Sequence, residues 1–397
     1  MTDRVEQQYT EWIYPQPTLD LRSRWQAMDP SFHQLHYAYW PNRPYRPGMR
    51  ILVAGCGSMQ AAQIADRNPT AQVLGIDISE TSLAHERTLK KNFSLDNLTL
   101  ERMAIDQIQT VGEKFDLIIA TGVLHHQVDP AAALAILGRQ LAQDGVISAM
   151  IYGKYFRTGV DMLQDLFRRT GLGQSTEDVA VARYVLANLH PYHPLRNYVA
   201  AAPDLQYDAG IVDTFLHTVD RAFTVAECLN LVAQADLRFQ GWLENFYYYP
   251  NGQMNAAHPL FGRFEALPEP ELWSAMELYS GVLGKHDFFC CRNDRPQATF
   301  VLDFRADAFF DLVPVLRDVQ LRKSGPGSND PAAMAVARRC EIGLNDVKLR
   351  FFQSIDGHRS VRRCIADCGI SNDETGANFA RNFLVSLWRI DAVVFRS

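Results

Sequence analysis

Between Met49 and Gly153 the hydrophobic positions change their period several times. Ile51-Leu52-Val53-Ala54 is a short apolar run that stops at Gly55, the pattern of a strand buried on both faces. SMQAAQIADRN (58–68) mixes small, apolar and polar residues as a helix does. AQVLGIDIS (71–79) is a second buried strand, and residues 79–93 form a second helix with Ser79 as its N-cap. LTLERMAI (98–105), FDLIIATG (115–122) and GVISAMIYG (145–153) supply three more strands. The Ala- and Leu-rich stretch 130–145 predicts a helix with Gly145 as its terminator. Strands alternating with helices in this way predict an α/β doubly wound parallel sheet with helices on both faces.

A sixth unit follows much later. Thr224 and Glu227 are spaced as a capping box, Val225, Leu229, Val232 and Ala233 share one helical face, and LRFQGWL (237–243) alternates as a strand. KHDFFCCRND (285–294) then reads as a seventh strand closing the sheet. Residues 155–221 are too many for a simple loop and predict a helical insertion, with a second at 250–283. After Pro296 the character changes, with a slight excess of positive charge and a Gly/Ser/Asn/Pro-rich stretch, 323–333, that reads as an exposed loop. The expected organisation is an N-terminal arm or lid (1–49), a main domain (50–295) carrying both insertions, and a small C-terminal α/β domain (296–397).

Length and composition narrow the function. At 397 residues, 47% hydrophobic and 21% charged, the chain can bury a substantial core without disulfide staples. A net charge of -6 argues against a general nucleic-acid coat. No apolar run approaches the ~20 residues needed to cross a bilayer, and the polar start MTDRVEQQYTEW is unlike a secretory signal. Seven irregularly spaced cysteines without a CxxC pair read as reduced thiols of a cytoplasmic protein.

The first strand leads into Ala54-Gly55-Cys56-Gly57, where glycines let the backbone approach a ligand and helix N–H groups face an anion. Asp77 ends the next strand, placed to accept both ribose hydroxyls of an adenosine ligand, with a role at the following helix start as the plainer alternative. Gln60 stands where a dinucleotide fingerprint wants Gly or Ala, which argues against a nicotinamide cofactor. With FDLIIA (115–120) and TGVLHHQVDP (121–130) downstream of AGCG and GIDIS, the chain from about Arg50 to Arg292 resembles the class I S-adenosylmethionine-dependent methyltransferases.

That resemblance implies a Rossmann-like sheet of seven strands in the order 3-2-1-4-5-7-6, the seventh antiparallel. It implies S-adenosylmethionine as cofactor and S-adenosylhomocysteine as product. Ala54, Gly55, Cys56 and Gly57 would meet the methionine part, Asp77 and Ile78 the ribose, and Ala104, Ile105 and Asp106 the adenine. Thr121, Gly122, Val123 and His126 would line the floor beside the sulfonium. One departure is Met59, where relatives usually carry a further glycine. In QYTEWIYPQP, Tyr9, Glu11, Tyr14 and Pro15 partly match a segment that opens some relatives, and read as a lid over the cofactor or as an arm packed for stability.

Methyl transfer needs an aligned acceptor and, where that acceptor carries a proton, a base. His125 and His126 stand at the right strand end. Asp213, His217 and Asp220 are spaced to share one helical face, so Asp213 and His217 read as a catalytic pair or as a structural ion pair; a metal site from this spacing is weakly supported. Tyr14, Tyr152, Tyr155, Arg157, His190, Tyr192 and His193 are the candidate acceptor contacts, with Tyr198 in the same aromatic-imidazole cluster, and fit an aromatic or anionic acceptor. The arginines Arg359, Arg362 and Arg363 after the Asp356-Gly357 turn read as a solvated helix face or, less well, a docking module. The expected activity is methyl transfer to oxygen or nitrogen of a small molecule or peptide side chain. Alternatives are an RNA- or protein-modifying enzyme docking through its C-terminal domain, and a non-catalytic adenosyl-binding scaffold. Two insertions and a tail leave room for a homodimer.

Overall fold

The computed structural model describes residues 2–21, 32–44, 46–323, 333–371 and 373–397. Most of the stretch 323–333, expected as an exposed loop, lies outside them. The chain forms two compact units, each assembled from separate stretches: the described parts of 1–28, 46–241 and 281–294 make the first, and those of 29–45, 242–280 and 295–397 the second.

The first unit is built on a sheet of β1 (Arg50–Ala54), β2 (Gln72–Asp77), β3 (Leu98–Arg102), β4 (Phe115–Thr121), β5 (Leu141–Gly153), β6 (Ala222–Phe223), β7 (Leu237–Trp242) and β8 (Lys285–Arg292). Its order is β3-β2-β1-β4-β5-β8-β7, with the two-residue β6 added beside the end of β5. Apart from β6, this is the 3-2-1-4-5-7-6 arrangement expected from the sequence. The β1, β2, β3, β4 and β5 ladders are parallel, whereas β8 runs antiparallel to β5. Ile51, Leu52, Val53 and Ala54 are fully buried, as an apolar run covered on both faces must be.

Local chemistry explains most element ends. Ser79 caps the helix Glu80–Phe93 by accepting from the Ser82 N–H, and Thr224 and Glu227 form the reciprocal capping box of Val225–Gln234. Asn97 caps from outside: its Nδ2 donates to the carbonyls of Ala65, Asn68 and Ala71, closing the end of the helix Gln60–Arg67 onto the next strand.

Gly145 does not terminate a helix. The helix Pro130–Arg139 ends six residues earlier, and Leu141 already pairs with Phe115. A register shift then separates the Phe115↔Leu141 and Leu117↔Val146 pairs, and Gly145 lies inside β5. A Cβ there would stand 2.8 Å from the Phe115 carbonyl oxygen, so glycine serves a close backbone approach rather than a helix cap.

The first expected insertion is helical, with helices Thr158–Thr170, Thr176–Ala187 and Leu195–Ala201 and a turn Asp208–Ile211 continued by a π-helical turn, Val212–Leu216. Val160, Leu163, Phe167, Val179, Ile211 and Phe215 give it a core of its own.

The second unit holds the antiparallel sheet β10 (Val319–Lys323), β11 (Ala333–Ala337), β12 (Glu341–Leu344) and the pair β9 (Val313–Leu316) with β13 (Val393–Arg396). Phe309, Phe351, Phe383, Leu384 and Phe395 fill its core. Residues 242–280, which include most of the second expected insertion, cluster with this unit: Tyr249 packs on Trp388 and Asn245 donates its N–H to Asp391. Among the described residues no helix is long and apolar enough to cross a membrane.

Candidate active site

The turn after β1 is held in a conformation that only glycine adopts freely, with φ of +67° at Gly55 and +57° at Gly57. A Cβ on Gly55 would also sit 2.4 Å from a Val123 methyl group, so this loop closes directly on the loop that follows β4. Asp77 ends β2 facing the same turn. Its two carboxylate oxygens accept from the Gly57 N–H (2.8 Å) and the Ser79 N–H (2.8 Å). Burial raises the Asp77 pKa, opposed by hydrogen bonds from Ser79, Gly57 and Ile78. Met59 is buried, and its sulfur accepts from Gln63 Nε2 at 3.6 Å; the loop thus accommodates a side chain where the glycine was expected.

Sequence reasoning missed Glu86. From the helix Glu80–Phe93 its carboxylate accepts from the Ala61 N–H and the Ala62 N–H, both at 2.9 Å, and so caps the helix that the glycine turn opens. It is fully buried, and burial pushes its pKa up to about 8. One glutamate in a helix full of charged residues offers no signal of this in the sequence.

The ends of β4 and β5 meet the insertion in a buried polar cluster. Arg157, 1% exposed, lies over the Tyr152 ring at 3.7 Å and donates to Tyr198 Oη (2.7 Å) and Asp220 Oδ2 (2.8 Å). Gln164 Nε2 also donates to Asp220 (2.6 Å). Burial opposes the Arg157 charge, but Tyr198 and Asp220 hold its pKa above the ordinary value. The cation is therefore matched within the protein, contrary to the expectation of an anion-binding arginine.

Asp213, His217 and Asp220 do not share a helical face. The π-helical turn ends at Leu216, and His217 and Asp220 follow in non-helical backbone. They are gathered by packing: the His217 ring stacks on His126 at 3.9 Å, and His126 Nδ1 lies 3.8 Å from Asp220 Oδ1. His125 is fully buried, edge-on to His126 and 4.0 Å from the Tyr152 ring.

The peptide groups of one residue, Val219, set the two stacked imidazoles differently. Its N–H donates to His217 Nδ1 (3.0 Å), while its carbonyl faces His126 Nδ1 (2.8 Å). His217 is consequently neutral with its proton on Nε2, and His126 carries a proton on Nδ1 with a lone pair at Nε2. Burial lowers both pKa values, that of His217 to about 4 with the His126 ring contributing; Asp220 opposes the shift at His126. Of the two, His126 is the ring free to take a proton.

Asp213 is 2% exposed. Its Oδ1 accepts from Tyr9 Oη (2.9 Å), whereas Oδ2 has no hydrogen-bond partner, and burial raises its pKa to about 6. His125, His126 and Asp220 also have atoms close enough together to grip a cation. The Val219 carbonyl takes His126 Nδ1 and the Arg157 guanidinium pairs with Asp220 Oδ2, whereas both His125 ring nitrogens and Asp220 Oδ1 are buried without a hydrogen-bond partner.

The N-terminal arm reaches this cluster. The Pro15 carbonyl accepts from Ser58 Oγ (2.9 Å) beside the glycine turn, the Tyr9 carbonyl from Ser79 Oγ (3.1 Å), and Tyr14 Oη donates to Asp204 (3.0 Å). The remaining candidates lie elsewhere. His190 and Tyr192 pair on the surface with rings 5.6 Å apart, Tyr192 being 90% exposed. His193 accepts the Leu195 N–H, and Tyr155 is 42% exposed. Tyr198, expected with the histidines, belongs instead to Arg157. Ala104 and buried Ile105 open a 3-10 turn with Asp106 exposed on it, and Thr121 and Gly122 end β4 beside Val123.

In the second unit Arg359 and Arg363 pair with Asp367, and Arg362 with Asp307 and Asp311. They form an ion-paired, solvated face.

Residues 46–169 match the sequence family described as "Methyltransferase domain", the stretch that contains β1 to β5, the glycine turn and Asp77. The sheet that holds this stretch has the class I, Rossmann-like methyltransferase fold. The chain is 26% identical over 270 residues to an uncharacterised Synechococcus protein, covering 66% of this chain and 64% of that one. It is 31% identical over 130 residues to the ubiquinone biosynthesis O-methyltransferase of Hahella chejuensis, covering 30% of this chain and 52% of that enzyme. The alignments thus span about half to just under two-thirds of these relatives' own lengths. PKMT2 from Rickettsia typhi shares the fold, with a TM-score of 0.65 at 12% identity over 93% of this chain and 75% of that one. The same protein in complex with AdoHcy gives a TM-score of 0.61 over 91% and 72%. The fold likeness therefore extends beyond the methyltransferase domain to nearly the whole chain.

Proposed function

We propose that the protein is an S-adenosylmethionine-dependent methyltransferase that moves a methyl group to an oxygen or nitrogen of a small molecule or a peptide side chain. The observation that carries this reading is the Asp77 carboxylate at the end of β2, turned onto the positive-φ glycine loop of a methyltransferase domain. The residues present suit the cofactor. An ionised carboxylate has about four acceptor sites, and two N–H groups leave capacity for two ribose hydroxyls. Glycine at 55 and 57 lets the turn close on Val123 and on Pro15 of the arm, where a Cβ would stand 2.4 Å and 3.4 Å from them. Ala54 to Gly57 would hold the methionine part, Asp77 and Ile78 the ribose, Ala104 to Asp106 the adenine, and Thr121 to Val123 with His126 the floor.

The bound cofactor would supply a methyl carbon made electrophilic by its sulfonium. This chain's residues then need to exclude water, align the acceptor and take its proton. The arm through Tyr9, Tyr14 and Pro15 would act as the lid. Asp213 Oδ2, buried without a hydrogen-bond partner, and the lone pair of His126 Nε2 would be the candidate proton acceptors. His217 would direct the acceptor through its Nε2–H, while His125, Tyr152 and Arg157 hold the wall of the pocket.

Titration calorimetry with S-adenosylhomocysteine tests the reading. Binding is expected in the wild-type protein, weakened by ~1–3 kcal/mol in Asp77→Ala through loss of charge-assisted hydrogen bonds. Equal affinity in a folded Asp77→Ala protein would remove the ribose assignment, and wild-type binding of NADH in place of the homocysteine product would overturn the reading.

A further inference from the structure

Where the loop after β4 meets the end of the helical insertion, three side chains of metal-ligand type converge. One ring nitrogen each of His125 and His126 and one carboxylate oxygen of Asp220 all lie within 4.8 Å of one another. His125 is fully buried, and the His126 and Asp220 side chains are 5% and 4% exposed. Neither ring nitrogen of His125 has a hydrogen-bond partner, and Asp220 Oδ1 has none either. Buried polar atoms left open in this way are costly unless a further group joins them. We propose that His125, His126 and Asp220 are the ligands of a divalent transition-metal ion such as zinc.

The groups behind these residues are those a bound ion requires. A metal-bound imidazole gives its other N–H to a carbonyl or carboxylate, which fixes its tautomer. His126 Nδ1 faces the Val219 carbonyl at 2.8 Å, and its lone pair is therefore on Nε2. A ligating carboxylate is likewise held from behind. Asp220 Oδ2 accepts from Arg157 Nη2 (2.8 Å) and Gln164 Nε2 (2.6 Å), so the group is fixed while Oδ1 stays open. Arg157 Nε, also without a partner, is a donor and takes no part in ligation.

The donor set selects the class of ion. Two imidazoles and one carboxylate suit zinc or iron(II), whereas magnesium and calcium want oxygen throughout. Three protein ligands also leave a coordination position open. Charge selects against an anion, which would meet the carboxylates of both Asp213 and Asp220 with only Arg157 to offset them. An organic ammonium meets the same charge and is the rival that the experiment separates. The metal site does not depend on the methyltransferase reading; with an ion bound, His126 becomes a ligand and Asp213 Oδ2 is left as the open proton acceptor.

The test uses the full, tag-free chain, stripped with a chelator and read without cofactor. In titration calorimetry zinc should bind at a single site per chain, and it should raise Tm because it binds the folded cluster. Cobalt(II) in its place should give visible ligand-field bands without the strong near-ultraviolet band of thiolate ligation, a readout that needs no variant. His125→Ala and Asp220→Asn should each weaken zinc binding by about 100-fold or more. Gln164→Leu, which frees only the back of the Asp220 carboxylate, should weaken it by about 10-fold. His190→Ala, on the surface, should leave it unchanged. A wild-type protein that takes up neither zinc nor cobalt, a thiolate band, preference for magnesium, or ligand variants as tight as wild type would overturn the assignment. So would saturable binding of methylammonium that zinc does not displace, which makes the cluster an ammonium site. S-adenosylhomocysteine binding is measured apart from zinc, and its failure overturns the methyltransferase reading while leaving the metal site standing.

Discussion

At the scale of the residue, the glycine turn and the carboxylates around it decide the site's fate. Gly55 combines a left-handed backbone with van der Waals contact to Val123. Gly55→Ala should therefore cost ~1–3 kcal/mol, read as a Tm fall of about 2–4 °C per kcal/mol, together with weakened S-adenosylhomocysteine binding. A Tm within about a degree of wild type would show that the turn tolerates a side chain. Glu86 makes a prediction with a definite sign. Its folded pKa of about 8 lies above the ordinary glutamate value, so between roughly pH 4.5 and 8 the native state holds more protons than the unfolded chain. Stability from this group is greatest at acid pH and is lost as pH rises toward 8. Glu86→Gln, which cannot ionise but keeps a carbonyl for one of the two N–H groups, should flatten that slope. Its stability relative to wild type should improve by on the order of 1–3 kcal/mol between pH 5 and pH 8, measured by urea unfolding at each pH. Parallel slopes for the two proteins would place the buried charge elsewhere.

At the scale of the element, the described part of the N-terminal arm meets the rest of the first unit through side-chain and backbone hydrogen bonds at Gln8, Tyr9, Tyr14 and Pro15. Its helix Thr2–Glu11 packs against the helix Glu80–Phe93, Glu6 pairs with Arg102 at the end of β3, and Trp12 leans on the insertion core. Terminal segments are among the parts of a fold that open locally with the smallest free energies. Ser58→Ala deletes the bond to the Pro15 carbonyl, worth about 0.5–1.5 kcal/mol. If the arm is a lid, S-adenosylhomocysteine should dissociate from Ser58→Ala roughly 2- to 10-fold faster by stopped-flow, with little change in Tm. An unchanged dissociation rate would make the arm a stabilising strap that ligand exchange does not displace.

At the scale of the whole molecule, the second unit is discontinuous in sequence, and this has consequences for cutting the chain. Tyr249 packs on Trp388, Arg389 binds Glu265 and Asn251, and Asp391 accepts from the N–H groups of Asn245 and Phe246. A chain ended at Arg295 would strip these partners and bare the aromatic stack of Trp242, Tyr248 and Trp273. Such a protein should bind an apolar dye and aggregate on mild heating, where the full chain does not. Clean two-state melting of the truncated protein would show that 242–280 folds without the C-terminal residues.

The amino-acid sequence by itself determined the strands, their helices, the caps at Ser79 and Thr224, and the chemistry of Gly55, Gly57 and Asp77. These are local: period, propensity and turn residues act between neighbours a few positions apart, and the motif is contiguous. Misplacing the helix end at Gly145 shows the limit, because that glycine answers to the Phe115 carbonyl across the sheet and not to its neighbours. The partners of the buried cluster were decided only in three dimensions. Val219 gives two histidines opposite tautomers, Asp220 spends the charge of Arg157, Glu86 caps a helix to which it does not belong, and His190 and Tyr192 stay on the surface. Hydrogen-bond satisfaction in a dry interior is a property of what surrounds a side chain, and residues as far apart as Tyr9 and Asp213 become neighbours only once the sheet and its insertion are packed.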